Sequence, residues 1–328
     1  MGEFDVINEY FAPLSHGASG AYDLKNDAAV LDVAVGNQMV ITSDCLIADV
    51  HFLKDDPPQT VARKALAVNL SDLAAMGARP RAYTLAIAWP TPIDTHWIKT
   101  FASGLKMAQD EWGVTLIGGD TVATAGPLTL TVTAFGEIEA GRALTRSGAN
   151  PGDDLYVTGT IGDAALGLLV ARDDCFTSLD QCHREFLIER YRCPTPRISL
   201  GPELLGLATS AIDISDGLIA DAKHIADQSA GLAIIAASRV PLSPPVNTLI
   251  TDTPNILKTV MGGGDDYEIL FTAPPSKGPM IDTLADKLSL SITCIGRING
   301  MINAPGVQVI GPDGDPLASD SQFGFLHF

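Results

Sequence analysis

Aspartates recur in this chain at the places where ligands collect in α/β proteins, beyond the ends of strands. Asp44, Asp120, the pair Asp213 and Asp216, and the pair Asp265 and Asp266 each sit at an end of an apolar stretch that reads as a strand. Asp27 heads the first such stretch, and Asp72 lies inside a run of Ala, Leu, Val and Met that reads as a buried helix. One aspartate after a strand is ordinarily a turn residue. This many, several in apolar or glycine-rich surroundings, call for cations, because a buried carboxylate must be paired or bound to metal. No His/Cys cluster accompanies them, so the donors are oxygens, a set that suits Mg2+ or Ca2+ rather than Zn2+. Thr42 and Ser43 add hydroxyl and carbonyl oxygens beside Asp44.

Two glycine runs, Gly118-Gly119-Asp120 and Gly262-Gly263-Gly264-Asp265, would let backbone approach a ligand closely. The Walker pattern is absent, and so is a protein-kinase glycine loop with its lysine. Gly-x-Ser-x-Gly does not occur, and no Ser/His/Asp or Cys/His nucleophile arrangement stands out. Arg142 and Arg146 are the basic groups nearest such a site in sequence, and they read equally well as exposed arginines on a connecting loop. His51 follows Asp49-Val50 in a polar segment, where a histidine is by itself a solvated one.

The elements that must position these groups follow from periodicity and turn chemistry. Phe4, Ile7, Tyr10, Phe11 and Leu14 predict a short amphipathic helix. Ala28–Val33 and Gln38–Thr42 read as strands around Gly36-Asn37, the second delivering Thr42-Ser43-Asp44. The helix of Asp72 runs from about Thr60 to Met76, with Gly77 as its C-cap. A strand over Arg81–Trp89, a helix from Asp94 or Thr95 to Trp112 and strands over Val114–Ile117 and Leu128–Glu137 complete the first half. The polar turn cluster Ala149-Asn150-Pro151-Gly152-Asp153 marks a boundary, dividing the chain into 1–148 and 149–328. Beyond it, strands near 154–158, 210–214, 232–236, 268–272 and 292–298 alternate with helices, including one over 196–208. Val240–Pro254 reads as a Pro-rich loop and 311–328 as a loop-like tail. The fold class is mixed, α+β to α/β, in two domains.

Composition narrows the partners. The chain has 328 residues, 46% hydrophobic and 18% charged, with a formal net charge of −18. That charge disfavours nucleic acid or an anionic membrane, yet a polyanion can be held if divalent cations sit between it and the carboxylates. No apolar run reaches the length of a membrane span, and the N-terminus is acidic rather than a basic leader. The five cysteines form no C-x-x-C, so they are expected as reduced thiols in a cytoplasmic protein.

Set in order, these segments resemble a known family over nearly the whole chain. They are Thr42-Ser43-Asp44, Lys64 through Ala78 with its Asn69-Leu70-Ser71-Asp72, Leu116 through Thr121, Gly141 through Ala149, Ile212 through Leu218, and Gly263 through Glu268. Together they are similar to bacterial thiamine-monophosphate kinase. The Asn69–Gly77 segment is shared more loosely with aminoimidazole ribonucleotide synthetase and selenophosphate synthetase. The arginine segment and the tail Phe323-Gly324-Phe325-Leu326-His327-Phe328 point to the thiamine enzyme.

The resemblance implies that ATP and thiamine monophosphate give ADP and thiamine diphosphate. It implies an aminoimidazole ribonucleotide synthetase-like fold whose N-terminal domains pair across a homodimer into a β-barrel, with ATP sites near that interface. Carried over, Asp27, Thr42, Ser43, Asp44, Asp72, Asp120, Asp213 and Asp216 would hold several Mg2+ ions. Gly119, Arg146 and Ser215 would contact ATP, and His51, Asp265 and Phe325 would contact thiamine monophosphate. The chain departs from the family pattern at Asn26, where an acidic residue is usual, at Asp265, where glutamate is usual, and over Val122–Gly126, where a shorter Thr-Arg-Gly is often found. A phosphate acceptor is already anionic near neutral pH, so no general base is expected. The alternative is another ATP-using synthetase of the same superfamily.

Overall fold

The computed structural model describes residues 2–92, 94–172, 176, 179–300, 304–311 and 313–319. Packing divides the chain into two compact units: the residues up to Leu73 with Ala78–Arg142, and Ala74–Gly77 with the residues from Ala143 onward.

The first unit opens with helix α1, Glu3–Val6, which continues as a π turn over Ile7–Phe11 and a 3-10 turn over Ala12–Ser15. Val6, Phe11 and Leu14 are its buried side. Then come β1 (Asn37–Ile47), α2 (Pro58–Ala75), β2 (Arg79–Pro90), α3 (Thr95–Trp112), β3 (Thr115–Thr124) and β4 (Thr129–Glu139). The sheet order is β1-β4-β2-β3. β2 and β3 are parallel, which requires the α3 crossover between them, and the other two pairings are antiparallel. Asp94 caps α3 by accepting the His96 N–H at 2.9 Å, and Gly113 ends it in the left-handed region.

Both long helices contact the sheet. The Asp44 N–H donates to Asn69 of α2, and the Tyr83 hydroxyl of β2 donates to Gln109 of α3. Leu66, Leu70 and Leu73 of α2 and Leu130, Val132 and Ala134 of β4 are buried, each large one contributing about 1.5–3 kcal/mol. The alternate positions of the edge strands, Ile41, Ser43 and Cys45 on β1 and Val122 on β3, are exposed.

Three expectations are corrected here. Ala28–Val33 is not a strand: Ala29 and Leu31 pack onto a small cluster around Ala21, Ala82 and Ile117, and Val30 bonds to Gly20 instead of to a ladder. Thr42-Ser43-Asp44 does not follow a strand, because β1 pairs with β4 without a break from Asn37↔Glu139 to Ile47↔Thr129. Asp120 is likewise inside β3, opposite Ala86.

The second unit contains β5 (Asp154–Thr158), α4 (Asp163–Arg172), α5 (Gln181–Arg192), β6 (Ser210–Asp213), α6 (Leu218–Gln228), β7 (Gly231–Ala236), α7 (Pro244–Asp252), α8 (Leu257–Gly262), β8 (Ile269–Ala273), α9 (Gly278–Leu288), β9 (Ile292–Gly300), β10 (Gly306–Ile310) and β11 (Pro316–Ser319). Its sheet runs β11-β10-β7-β9-β5-β8-β6, and β10 with β7 is a parallel pair. Leu155, Val157, Ile212, Leu270 and Ile295 from the sheet pack with Leu218, Ala222 and Ile225 of α6.

Here too the elements differ from expectation. The segment 196–208 is not a helix beyond the 3-10 turn Gly201–Leu204, since Pro202 has no N–H to donate to a continuing helix. Val240–Pro254 is not all loop: Pro244 and Pro245 occupy the first turn of α7, where proline is tolerated. The described part of the tail carries β11, which pairs antiparallel with β10.

Candidate active site

The clearest cluster is on β1 and α2. Thr42 and Asp44 stand two residues apart, so they share one face of the strand, and that face meets α2. Thr42 Oγ1 donates to Asp72 Oδ2 at 2.5 Å. The Asp44 N–H donates to Asn69 Oδ1 at 3.1 Å, and Asn69 is itself anchored by donating to the Ala65 carbonyl. The carboxyls of Asp44 and Asp72 lie within hydrogen-bonding reach of each other. Burial first, and the neighbouring Asp72 second, push Asp44 up to about 6. Two carboxylates so placed need a proton or a cation between them. Ser43 points to the other face, where its hydroxyl meets Thr133 Oγ1.

A second cluster lies at the β3 edge. Gly119, Asp120 and Thr121 line a cavity together with Asn26 and Asp27, and Ile7, Phe11 and Leu24 supply apolar wall. Only glycine fits at 119, because a Cβ there would stand 1.9 Å from the Leu85 carbonyl oxygen. The two clusters are separate within one chain. The register runs Asp44↔Val132, Val132↔Leu85 and Leu85↔Gly119, so β4 and β2 lie between them. Three strand spacings are roughly 14 Å, beyond the reach of one cation.

The second unit gathers a third set. Asp213 ends β6 and is buried, and Ser215 and Asp216 follow in the turn before α6. Asp221, in the first turn of α6, accepts the N–H groups of Asp216 at 3.0 Å and Gly217 at 3.1 Å. Burial, then the charges of Asp213 and Asp216, hold Asp221 well above the usual carboxylate range. Asp216, Asp221 and His224 could converge on one ion. Asp265 joins this set through the backbone, its N–H donating to the Ser215 carbonyl at 2.9 Å. Arg146 is exposed. His51 is placed in the first unit at the end of β1, its Nδ1 accepting the Ile47 N–H at 3.0 Å, which leaves the proton of the neutral ring on Nε2. Phe325 lies outside the described residues.

Two residues escape a reading of the sequence alone. Asn69 precedes Asp72 by three positions, which puts both on one helix face, and that spacing was the available signal. Asp221 follows Gly217 by four residues, where a carboxylate can reach back to the free N–H groups of a helix start.

Comparison with known proteins places the chain. The family model "AIR synthase related protein, N-terminal domain" matches residues 25–138. The thiamine-monophosphate kinase of Haemophilus influenzae is 39% identical over 331 residues, covering 100% of this chain and 98% of that protein. The crystal structure of thiamine-monophosphate kinase from Stenotrophomonas maltophilia K279a superposes with a TM-score of 0.83 at 39% identity, covering 95% of each chain. A structure of AaThiL complexed with AMPPCP and TMP superposes with a TM-score of 0.78 at 29% identity, covering 100% of this chain and 97% of that one.

Proposed function

The chain belongs to the thiamine-monophosphate kinase family, and we propose that it transfers the γ-phosphoryl group of ATP to thiamine monophosphate, giving thiamine diphosphate and ADP. The AaThiL structure, with an ATP analogue and TMP bound together, supports this substrate pair. The observation that carries the reading in this chain is the meeting of Asp44 and Asp72 beside Thr42, an all-oxygen donor set that is repulsive without a cation.

The residues fit Mg2+. Asp27, Thr42, Asp44, Asp72, Asp120, Asp213 and Asp216 are the ligands we assign, and Ser43, whose hydroxyl turns to the opposite face of β1, would serve an ion on that side. Bound there, Mg2+ neutralises phosphate oxygens and stabilises the charge that develops in transfer. The protein's own part is placement. Gly119 lets β3 pass close against Leu85 of β2 beside the apolar walls of Ile7, Phe11 and Leu24, which suit a purine. Arg146 and Ser215 offer donors to the triphosphate. His51, Asp265 and Phe325 hold the acceptor, whose phosphate attacks directly. No side chain needs to remove a proton, because the attacking oxygen is already anionic.

The sheet geometry supports a homodimer. β1 and β3 are both unpaired edges of the four-stranded sheet, and the two ligand clusters sit one at each edge. A second copy closing the edges into a barrel would bring its Asp120 to the first copy's Asp44. Mixing Asp44→Asn and Asp120→Asn subunits tests this. Each alone is inactive, and random mixing restores about a quarter of the wild-type rate, because half the dimers then hold one intact site. No recovery would place both residues in a site made by one chain. The thiols of Cys45, Cys182 and Cys294, unbridged among the described residues, fit the cytoplasmic location we propose. No helix among the described residues is long and apolar enough to cross a membrane.

Calorimetry with AMPPCP, with and without Mg2+, tests nucleotide binding. Mg2+-dependent heat is expected. Equal binding in EDTA would contradict the metal assignment.

A further inference from the structure

Asp266 is fully buried in the second unit and is not among the residues assigned to substrate, nucleotide or metal. Its Oδ2 accepts the Gly162 N–H at 2.7 Å and its Oδ1 accepts the Ala164 N–H at 3.2 Å. Those are free donors at the start of α4, so Asp266 caps a helix that is distant in sequence.

The residues on either side of Asp266 are held in an unusual conformation. Asp265 has φ 72° and Tyr267 has φ 50°, both in the left-handed region that side chains disfavour. Such strain persists only where the surroundings over-determine it. Here the ties are visible. Asp265 N–H bonds to the Ser215 carbonyl, Tyr267 N–H to the Ile214 carbonyl, and Ile214 N–H to the Glu268 carbonyl. Glycines make the close fit possible: a Cβ at 264 would stand 1.9 Å from the Ser215 oxygen, and one at 263 would stand 2.4 Å from the Ala165 Cβ. The Ile214–Gly217 turn has its own separate anchor in Asp221. Asp266 thus supplies the hydrogen bonds that tie the Gly263–Tyr267 segment to the start of α4, beside the close packing of Gly263 on Ala165, whereas the Ser215–Asp216 turn is anchored by Asp221.

We infer that Asp266 is a positioning residue for the phosphate acceptor, clamping the substrate loop to the start of α4 so that Asp265 presents its carboxylate to thiamine monophosphate. The inference rests on the assignment of Asp265 to that substrate. Loss of the clamp lets Asp265 relax out of its left-handed conformation and swing its carboxylate away. It leaves the nucleotide side, anchored through Asp221, in place.

The test is steady-state kinetics of Asp266→Asn and Asp265→Asn, each substrate varied in turn, with thermal melting alongside. For both variants KM for thiamine monophosphate rises about tenfold while KM for ATP stays within about twofold. If Asp266→Asn does not fold, Ala164→Pro removes one of the two donors in the first helical turn, where proline is tolerated, and shows the same selective rise. A selective rise in Asp265→Asn with wild-type KM values in a folded Asp266→Asn overturns the positioning role alone. An unchanged Asp265→Asn overturns the assignment of Asp265 and the inference with it. Equal rises for both substrates in Asp266→Asn also overturn it, because they indicate a general loosening of the unit.

Discussion

Asp72 of α2 accepts a hydrogen bond from Thr42 of β1 while its carboxyl also lies within reach of the Asp44 carboxyl. The helix and the strand are thereby joined through a pair of acids that repel one another once both are ionised. Asp72→Asn separates the site from the fold. The amide still accepts from Thr42 and no longer repels Asp44, so circular dichroism is unchanged and the metal-free protein melts higher. Turnover falls about a hundredfold or more, and Mg2+-dependent nucleotide binding weakens. A variant with a near-normal rate would remove Asp72 from the ligand set.

The same pair sets a pH dependence. In the metal-free fold Asp44 is pushed up to about 6 by burial and by Asp72, so its neutral form is favoured between its unfolded value and that point. Raising the pH through this window charges a carboxyl the fold disfavours, and the stability of the metal-free protein declines. A cation reverses the preference and releases the proton. Mg2+ affinity therefore rises with pH up to about 6 and levels off above it. Calorimetry in buffers of different ionisation enthalpy detects proton release at acidic pH and little at alkaline pH; affinity that does not vary with pH would contradict the pairing.

Gly119→Ala tests the close approach at β3. The added methyl would meet the Leu85 carbonyl, so β2 and β3 must part at that point. Overpacking of this kind destabilises by about 1–3 kcal/mol, readable in urea unfolding, and nucleotide binding weakens as well. An unchanged urea midpoint would show that the strands yield there.

Glu268 is fully buried among Thr158, Arg190 and Arg197. Burial alone would raise its pKa, but Arg197 and then Arg190 outweigh it and hold the carboxyl below its usual value. Its contribution is therefore present above the unfolded value and is lost as pH falls through the folded one. Glu268→Gln takes the counter-charge from Arg197, leaves Arg190 with its contact to Asp163 at 3.5 Å, and destabilises the protein by about 3–5 kcal/mol. The variant also loses less stability than wild type on acidification. Equal acid sensitivity would show that the ion group does not control acid unfolding.

The candidate ligands were legible because carboxylates in apolar and glycine-rich company have few other uses. The two long helices of the first unit were legible too, through Asp94, Gly77 and Gly113 at their ends. The grouping of the ligands was not. Spacing along the chain cannot reveal that β4 and β2 intervene between Asp44 and Asp120, because strand order is a tertiary choice. Ala28–Val33 has the apolar composition of a strand but joins no ladder among the described residues, and Pro244-Pro245 looks like a loop until it is seen to start a helix. The clamp at Asp266 was hidden for the same reason as the ligand grouping: its partners, Gly162 and Ala164, lie about a hundred residues earlier.

The central claim is transfer to a phosphate, and an ADP-release assay with Mg2+ and ATP measures it directly. Thiamine monophosphate and unphosphorylated thiamine are offered as acceptors in parallel. ADP forms with thiamine monophosphate, in step with thiamine diphosphate, and not with thiamine. Turnover with thiamine alone, or with neither, would contradict the account.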